Sequence, residues 1–385
     1  MGMSRRSFIK AAGGTGLALV GVGGTFAATR TPHRALAPWE ELDHAPPADI
    51  RLYAFRHAIL APNPHNRQPW LIQLAGQDRA VIFCDLDRRL PQTDPFDRQI
   101  LIGFGCFLEI ARIAAAERDF DMEIAPFPDG FSAERLDRRP IAHLRFAASG
   151  TATKDPLFAA IPTRRSNKAP FDTARPVEKT VLDALTAHRS SQADIGTSVD
   201  AALVQRLRAL TWDAWNTEFT TKRTWQESVD LMRIGKREIE NHPDGISIGG
   251  PFLEALTLAG QLSREQFAQP GTTAHNASAD RYRPILASSM GFAWVTTSGN
   301  SRTDQLAAGR AFVRMNLEAA RLGLGFHPVS QALQEFPEMA KSFAEVHATL
   351  NAPQGARIQM LARLGYASVA PKTPRWPLTS RLIGA

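Results

Sequence analysis

The chain has 385 residues, 44% hydrophobic and 22% charged, which suits one large domain or two ordinary ones and excludes wholesale disorder. Its net charge of +7 and pI near 9.8 raise the question of a nucleic-acid surface. The basic residues are scattered and no basic run interleaves with aromatics, so the charge reads as solubility plus one or two anion sites, with no nucleic-acid partner. Two cysteines, Cys84 and Cys106, read as buried apolar thiols and suggest neither a disulfide framework nor a metal site.

Ser4-Arg5-Arg6-Ser7-Phe8-Ile9-Lys10 precedes an apolar, glycine-rich stretch from Ala11 to Ala28. Residues 1–28 resemble a twin-arginine export signal, which makes the translocase a partner and the periplasm, or another exported location, the destination. The stretch is too rich in glycine for a good membrane span, and no further 18-residue apolar run is expected. Residues 29–47 read as a Pro-rich linker.

A first unit, residues 48–150, opens with helical spacing over Ile50 to Leu60. The loop from Ala61 to Trp70 follows, then a hairpin of Leu71 to Leu74 and Ala80 to Asp85. Ile100 to Glu117 is a long apolar helix, and Met122 to Phe127 and Ile141 to Phe146 are further strands. A second unit, residues 151–385, contains helix Val177 to Ala187, a strand Asp194 to Thr197, a mostly helical insertion over residues 202–281, a strand Phe292 to Thr297, a helix Asp304 to Leu322 and a strand Arg357 to Leu364. The order helix, loop, strand, long helix, strand recurs in both units and predicts an α+β fold. The insertion is too long for a simple connection and is expected to form a helical lid. Within it Asp244-Gly245 follows Pro243 and reads as a surface turn.

Three segments carry chemistry. Prolines 62, 64 and 69 stiffen the 61–70 loop, where Asn66 and Gln68 present amides suited to the edge of a planar heterocycle. Arg164-Arg165-Ser166-Asn167-Lys168 packs three cations and a hydroxyl into five residues, a natural phosphate site that composition alone does not separate from a solvated turn. Gly323-Leu324-Gly325-Phe326-His327-Pro328-Val329-Ser330 follows a long helix, and its glycines let backbone approach a ligand. No Gly-x-Ser-x-Gly elbow and no His-Glu-x-x-His pair occurs, which disfavours a hydrolase.

Together these segments resemble the FMN-dependent nitroreductase superfamily. Ala61 to Trp70 is similar to its Ala-Pro-Ser-x-x-Asn-x-Gln-Pro-Trp signature, 164–168 to its phosphate motif, 323–330 to its Gly-Leu-Gly…Pro loop, and Lys372 with Arg375 to its C-terminal basic pair. Asp85 to Pro91 with Asp94-Pro95 resembles the fused-repeat, Acg-type branch. The resemblance implies a nitroreductase-like fold of two half-repeats forming an intrachain pseudo-dimer, with one FMN. Its phosphate is expected on Arg164, Arg165, Ser166, Lys372 and Arg375, and its ring between Pro64, His65, Asn66, Gln68 and Pro328, Val329, with Lys168 near N1. It also implies two-electron transfer through flavin N5 from NAD(P)H or another donor to a small organic substrate; a non-enzymatic FMN-sequestering protein with a closed lid is the alternative.

Overall fold

The computed structural model describes residues 29–384; the export motif and the apolar stretch after it lie outside the described residues. The helices are α1 (His33–Glu40), α2 (Ile50–Ala58), α3 (Arg98–Glu117), α4 (Lys179–Thr186), α5 (Ala201–Thr220), α6 (Lys222–Asp230), α7 (Gly235–Asn241), α8 (Pro251–Leu258), α9 (Arg264–Ala268), α10 (Thr273–Ala287), α11 (Arg302–Arg321) and α12 (Ala340–Thr349). The strands are β1 (Trp70–Ala75), β2 (Arg79–Cys84), β3 (Phe120–Pro126), β4 (Ala142–Ala148), β5 (Asp194–Ser198), β6 (Met232–Ile234), β7 (Ile246–Ile248), β8 (Gly291–Thr297), β9 (Gly325–Pro328), β10 (Arg357–Gly365) and β11 (Leu382–Ile383).

Each unit has its own sheet. The first runs β11-β1-β2-β4-β3 and the second β5-β8-β10-β9. Alternation in β2 and β4 buries Ala80, Ile82, Cys84, Ala142, Leu144 and Phe146 on one face, as expected of a sheet covered on one side. Strand β10 is buried along almost its whole length, because α11 packs on one of its faces and the helices of the insertion lie over the other. The first sheet takes its edge strand from the far end of the chain: Ile72 and Gln73 pair in parallel with Leu382 and Ile383. The C-terminal tail, expected with the second unit, thus crosses back to the first.

The stretch expected as a linker is helical. It packs through Trp39, which is buried and donates from its indole Nε1 to the Thr373 carbonyl at 2.8 Å, while the Arg375 amide donates to the Ala35 carbonyl. The 202–281 insertion is mostly helical as expected, but it also holds the short parallel pair β6–β7, which three-residue apolar strands are too brief to announce. Helix α3 is long and apolar enough to cross a membrane by length and composition, contrary to the expectation that no such run remained; 89% of its apolar window is buried inside the protein.

Helices α3 and α11, one from each unit, cross at a glycine pair. A Cβ on Gly309 would stand against the Ile102 carbonyl and 2.8 Å from the Gly105 Cα, so only glycine permits this approach. Both thiols are buried and free, and Cys106 donates to the Gly309 carbonyl at the same crossing. One turn further, the buried Glu109 carboxylate of α3 accepts from Arg112 (2.7 Å) and from Arg310 (3.0 Å) and Arg314 (2.9 Å) of α11. Burial alone would raise the Glu109 pKa, but the Arg112 hydrogen bond and the charges of Arg112, Arg310 and Arg314 outweigh it and hold the group at about 2.

Because the folded pKa is depressed, this carboxylate stabilises the fold fully above its ordinary value of 4.5, and the contribution is lost as pH falls towards about 2. At about 1.4 kcal/mol per unit, Glu109→Gln should cost about 3 kcal/mol at neutral pH. Denaturant unfolding at pH 7 and pH 3 checks this: the gap between variant and wild type should narrow in acid, and equal midpoints at pH 7 would contradict it.

Candidate active site

The three chemistry-bearing segments and the C-terminal tail converge between the units. Arg164, buried at 3% exposure, donates from Nη2 to the Leu60 carbonyl at the start of the 61–70 loop and from Nη1 to Asn316 Oδ1 on α11. Arg375 of the tail, also buried, reaches the same Leu60 carbonyl and donates to Asn66 Oδ1 at 2.7 Å. Arg165 lies over the Trp39 ring at 4.4 Å, and Arg375 approaches that ring from 5.5 Å.

The electrostatics of this cluster are one-sided. Desolvation and then the Arg165 charge bring Arg164 down to about 10, and desolvation followed by Arg164 and Arg165 pushes Arg375 well below the usual arginine range. No salt bridge among the described residues involves Arg164, Arg165 or Arg375. The Nε atoms of Arg165 and Arg375 and the Nδ2 of Asn316 are buried without a hydrogen-bond partner among the described residues. A buried cluster of like charges with unused donors is costly unless an anion completes it. Ser166 is half-buried beside the cluster, and Lys372 is exposed.

The 61–70 loop is held in an unusual shape. His65, Asn66 and Gln68 have φ of 46°, 52° and 51°, the left-handed region that side chains with a Cβ avoid. Four hydrogen bonds hold Asn66 and Gln68 there. Asn63 Oδ1 accepts from the Gln68 amide, Asn66 Nδ2 donates to the Pro374 carbonyl, and Gln68, fully buried, donates to the Pro243 carbonyl and accepts from the Trp376 amide. The amides of Asn66 and Gln68 therefore fasten the tail and the insertion to the loop. Asp244, expected at a surface turn, is buried beside them. It accepts from Arg67 (3.4 Å), from Arg88 of the first unit (2.6 Å) and from Arg233 of the insertion (2.9 Å). Desolvation raises its pKa, but the charges of Arg233 and Arg88, a hydrogen bond from Arg233 and the charge of Arg67 together hold it below the usual carboxylate range.

On the other side stands the 325–330 segment. Pro328 closes β9 opposite Ala362, and Val329 is buried with its amide on the Leu361 carbonyl. His327, opposite Arg363 in the pairing, accepts at Nδ1 from Arg363 Nε at 2.8 Å. An arginine can only donate, so His327 is the neutral Nε2–H tautomer. Desolvation and the charges of Arg363 and Lys168 likewise keep it neutral. Lys168 is exposed, yet desolvation and then Arg281 lower its pKa against the pull of Glu218. Desolvation followed by Lys168 and Arg67 brings His65 down to about 4, so Lys168 sits within the field of both the first-unit loop and β9. The insertion adds Glu218, which burial raises to about 7 and which accepts from Gln334 Nε2, and just beyond it Tyr282 of α10 stacks its ring on Trp215.

Sequence reasoning expected Arg164, Arg165, Ser166, Lys372 and Arg375 about a phosphate and Pro64, His65, Asn66, Gln68, Pro328 and Val329 about a ring, with Lys168 near it; the structure joins Arg164 and Arg375 through the Leu60 carbonyl and leaves Lys372 exposed. Sequence reasoning missed Trp39, Asn316, Glu218, Arg363 and the anchoring role of Asp244. Only Asp244 had a local signal, its place in the Pro-Asp-Gly turn. No family profile matches the chain. The chain is similar to Rv3131 of Mycobacterium tuberculosis, provisionally named an NAD(P)H nitroreductase, with 27% identity over 87% of this chain and 92% of that protein. It is also similar to acg of the same organism, which carries the same provisional name, at 26% identity over 86% and 94%. Both alignments span most of the chain and nearly the whole of each relative. Among solved structures, iodotyrosine deiodinase bound to FMN and 3-iodo-L-tyrosine aligns over 57% of this chain and 95% of its own, with 15% identity and a TM-score of 0.35.

Removing Asp244 leaves Arg67, Arg88 and Arg233 facing one another. Breaking such a buried ion pair costs about 3–5 kcal/mol. Asp244→Ala should therefore release the insertion from the loop, and amide exchange in β6 and β7 should accelerate well ahead of exchange in β10. Unchanged exchange in β6 and β7 would show that the insertion is held elsewhere.

Proposed function

We propose that this chain is an FMN-dependent oxidoreductase of nitroreductase type, passing two electrons to a small organic acceptor. The observation that carries this reading is the buried Arg164–Arg165–Arg375 cluster, whose unused donors match a phosphate bearing close to two negative charges. Bound FMN would supply hydride acceptance and donation at N5. The chain's own residues bind and orient it. Arg164, Arg165 and Arg375, with Ser166 and Lys372, would hold the phosphate, the left-handed His65–Gln68 segment and Pro328–Val329 would lie beside the ring, and Lys168 would supply the nearby cation. His327, held neutral by Arg363, keeps an N–H donor available without adding charge. NAD(P)H or another reductant is the electron donor.

The firm anchoring of the insertion through Asp244 and Gln68 favours a second reading, in which the closed lid sequesters FMN without turnover. Anaerobic NADH or NADPH separates the two: bleaching of the yellow protein supports the oxidoreductase, and a holoprotein that stays yellow supports sequestration. We further propose that Arg5 and Arg6 direct the folded protein to the twin-arginine translocase. Replacing both with Lys should retain it in the cytoplasm, and unchanged periplasmic recovery would contradict the export reading.

Losing one of several charge-assisted contacts costs roughly 1.5–3 kcal/mol, about tenfold to over a hundredfold in affinity. Arg164→Ala should weaken FMN by that factor and riboflavin, which lacks the phosphate, much less. Arg118, remote from the cluster and stacked on Tyr53, provides the control substitution. Equal FMN affinity for Arg164→Ala and wild type in flavin titrations would remove the phosphate from this cluster.

A further inference from the structure

Among the buried carboxylates of the described residues, Glu218 of α5 stands apart. Asp97, Glu109, Asp244, Glu254 and Glu318 each meet an arginine, and Asp94 accepts from the Gln99 and Ile100 amides. Glu218, 7% exposed, meets neither kind of partner. Its carboxyl accepts from Gln334 Nε2 at 2.9 Å and from the hydroxyl of Ser228 on α6. An arginine or a backbone amide can only donate, so it favours the carboxylate form; a side-chain amide or a hydroxyl can donate or accept. Gln334 Oε1 is buried without a partner among the described residues, so a half-turn of that amide offers an acceptor to a protonated Glu218. These surroundings accommodate both the acid and its conjugate base.

The carboxyl also faces the candidate site. Lys168 bears on Glu218 by charge, and the same lysine bears on His65 of the left-handed loop and on His327 of β9. Tyr282 of α10 forms a flat wall beside them. Its ring stacks on Trp215, one turn before Glu218, at 4.8 Å and 11°, and stands 6.2 Å from the His327 ring. Such a wall suits a planar conjugated molecule. The neighbouring groups are poor proton sources at neutral pH. Desolvation brings His65 down to about 4 and holds His327 neutral, and it pushes Tyr282 up to about 12. Desolvation, opposed by the Gln334 hydrogen bond and helped by the Glu227 charge, raises Glu218 to about 7, with Ser228 and Lys168 pulling it down.

We propose that Glu218 is the proton donor to a flat, quinone-type electron acceptor bound between Lys168, His327 and the Tyr282 ring. The proposal rests on the oxidoreductase reading. Hydride from a reduced flavin brings two electrons to one quinone oxygen, and negative charge gathers on the other. That oxygen takes the proton as the Glu218 O–H bond breaks. The products are a hydroquinone, oxidised flavin and the Glu218 carboxylate, which solvent reprotonates. Because the acid form is the donor, quinone reduction is fastest below about pH 7 and falls as pH rises through it.

Infrared titration of the full chain reads the acid itself, without turnover. A protonated-carboxyl stretch should be lost with a midpoint near 7, be missing in Glu218→Gln, and persist to higher pH in Lys168→Met, which removes a charge that lowers it. Photoreduced holoprotein is then reoxidised by benzoquinone or by ferricyanide, which takes electrons and no proton. Glu218→Gln should slow the quinone by about 100-fold or more, flatten its pH dependence and leave ferricyanide at the wild-type rate. Glu218→Asp, which keeps an acid, should recover part of the loss. Equal slowing of both acceptors marks a structural role and overturns the proposal, as does a Glu218 that stays ionised well below pH 7. Wild-type protein that reduces neither acceptor overturns the oxidoreductase reading. Wild type that reduces both, with Glu218→Gln matching it on quinone, overturns this proposal alone.

Discussion

The crossing of α3 and α11 at Gly105 and Gly309 is the constraint on which the rest of the molecule depends. Two helices bearing ordinary side chains pack roughly 8–10 Å apart. Here the backbones approach until each glycine Cα occupies the space a neighbour's Cβ would need, 2.8–2.9 Å away. Helix α3 packs against β3 of the first sheet and α11 against β8, β9 and β10 of the second, so the crossing joins the two sheets through their helices. It also brings Asn316 of α11 within reach of Arg164, and Arg164 within reach of the Leu60 carbonyl. Glu109 fixes the rotation of the pair, because one buried carboxylate must satisfy arginines from both helices.

Much of this was legible in the sequence where chemistry and local backbone coincide. The 61–70 loop advertises itself through prolines 62, 64 and 69, and the basic cluster through three cations in five residues. The helix and strand periods of the two units are likewise clear, and observed elements begin or end within a few residues of the expected positions. What was illegible depends on residues distant in sequence. Prolines 32 and 38 read as linker signals, yet α1 forms because Trp39 and Ala35 find partners in the tail more than three hundred residues away. The arginine on β10 that sets the His327 tautomer has no motif, since a fully buried Arg363 in an apolar strand looks like an ordinary strand residue until its pairing partner is known. Asp244 read as a turn residue because its three arginines come from three separate segments.

The two arginine clusters show opposite solutions to the same problem. Around Asp244, Arg67, Arg88 and Arg233 surround an acid, so the charges stabilise a junction between the insertion and the first unit. Around Arg164, the cations are deeper, no acid pairs with them among the described residues, and carbonyl oxygens take some of the N–H groups while others go unused. The second arrangement ties the loop to the tail and to α11 but leaves its charge unbalanced. A fold tolerates a costly local charge pattern where function requires it and compensates elsewhere. The Asp244 and Glu109 networks, paired and buried, are where that compensation is visible.

The left-handed loop links these observations. Non-glycine residues in this backbone region cost about 1–3 kcal/mol each and persist only where surroundings over-determine them. His65, Asn66 and Gln68 are over-determined from both sides of the candidate site. The tail holds Asn66 through Arg375 and Pro374, and the insertion holds Gln68 through Pro243 and the Asn66 carbonyl through the Gly245 amide. The same Arg375 belongs to the cationic cluster, and the same turn of the insertion carries Asp244. The loop, the tail and the insertion are therefore tied through shared residues, and a change at Arg375 or at the Pro243–Gly245 turn removes restraints from the left-handed segment.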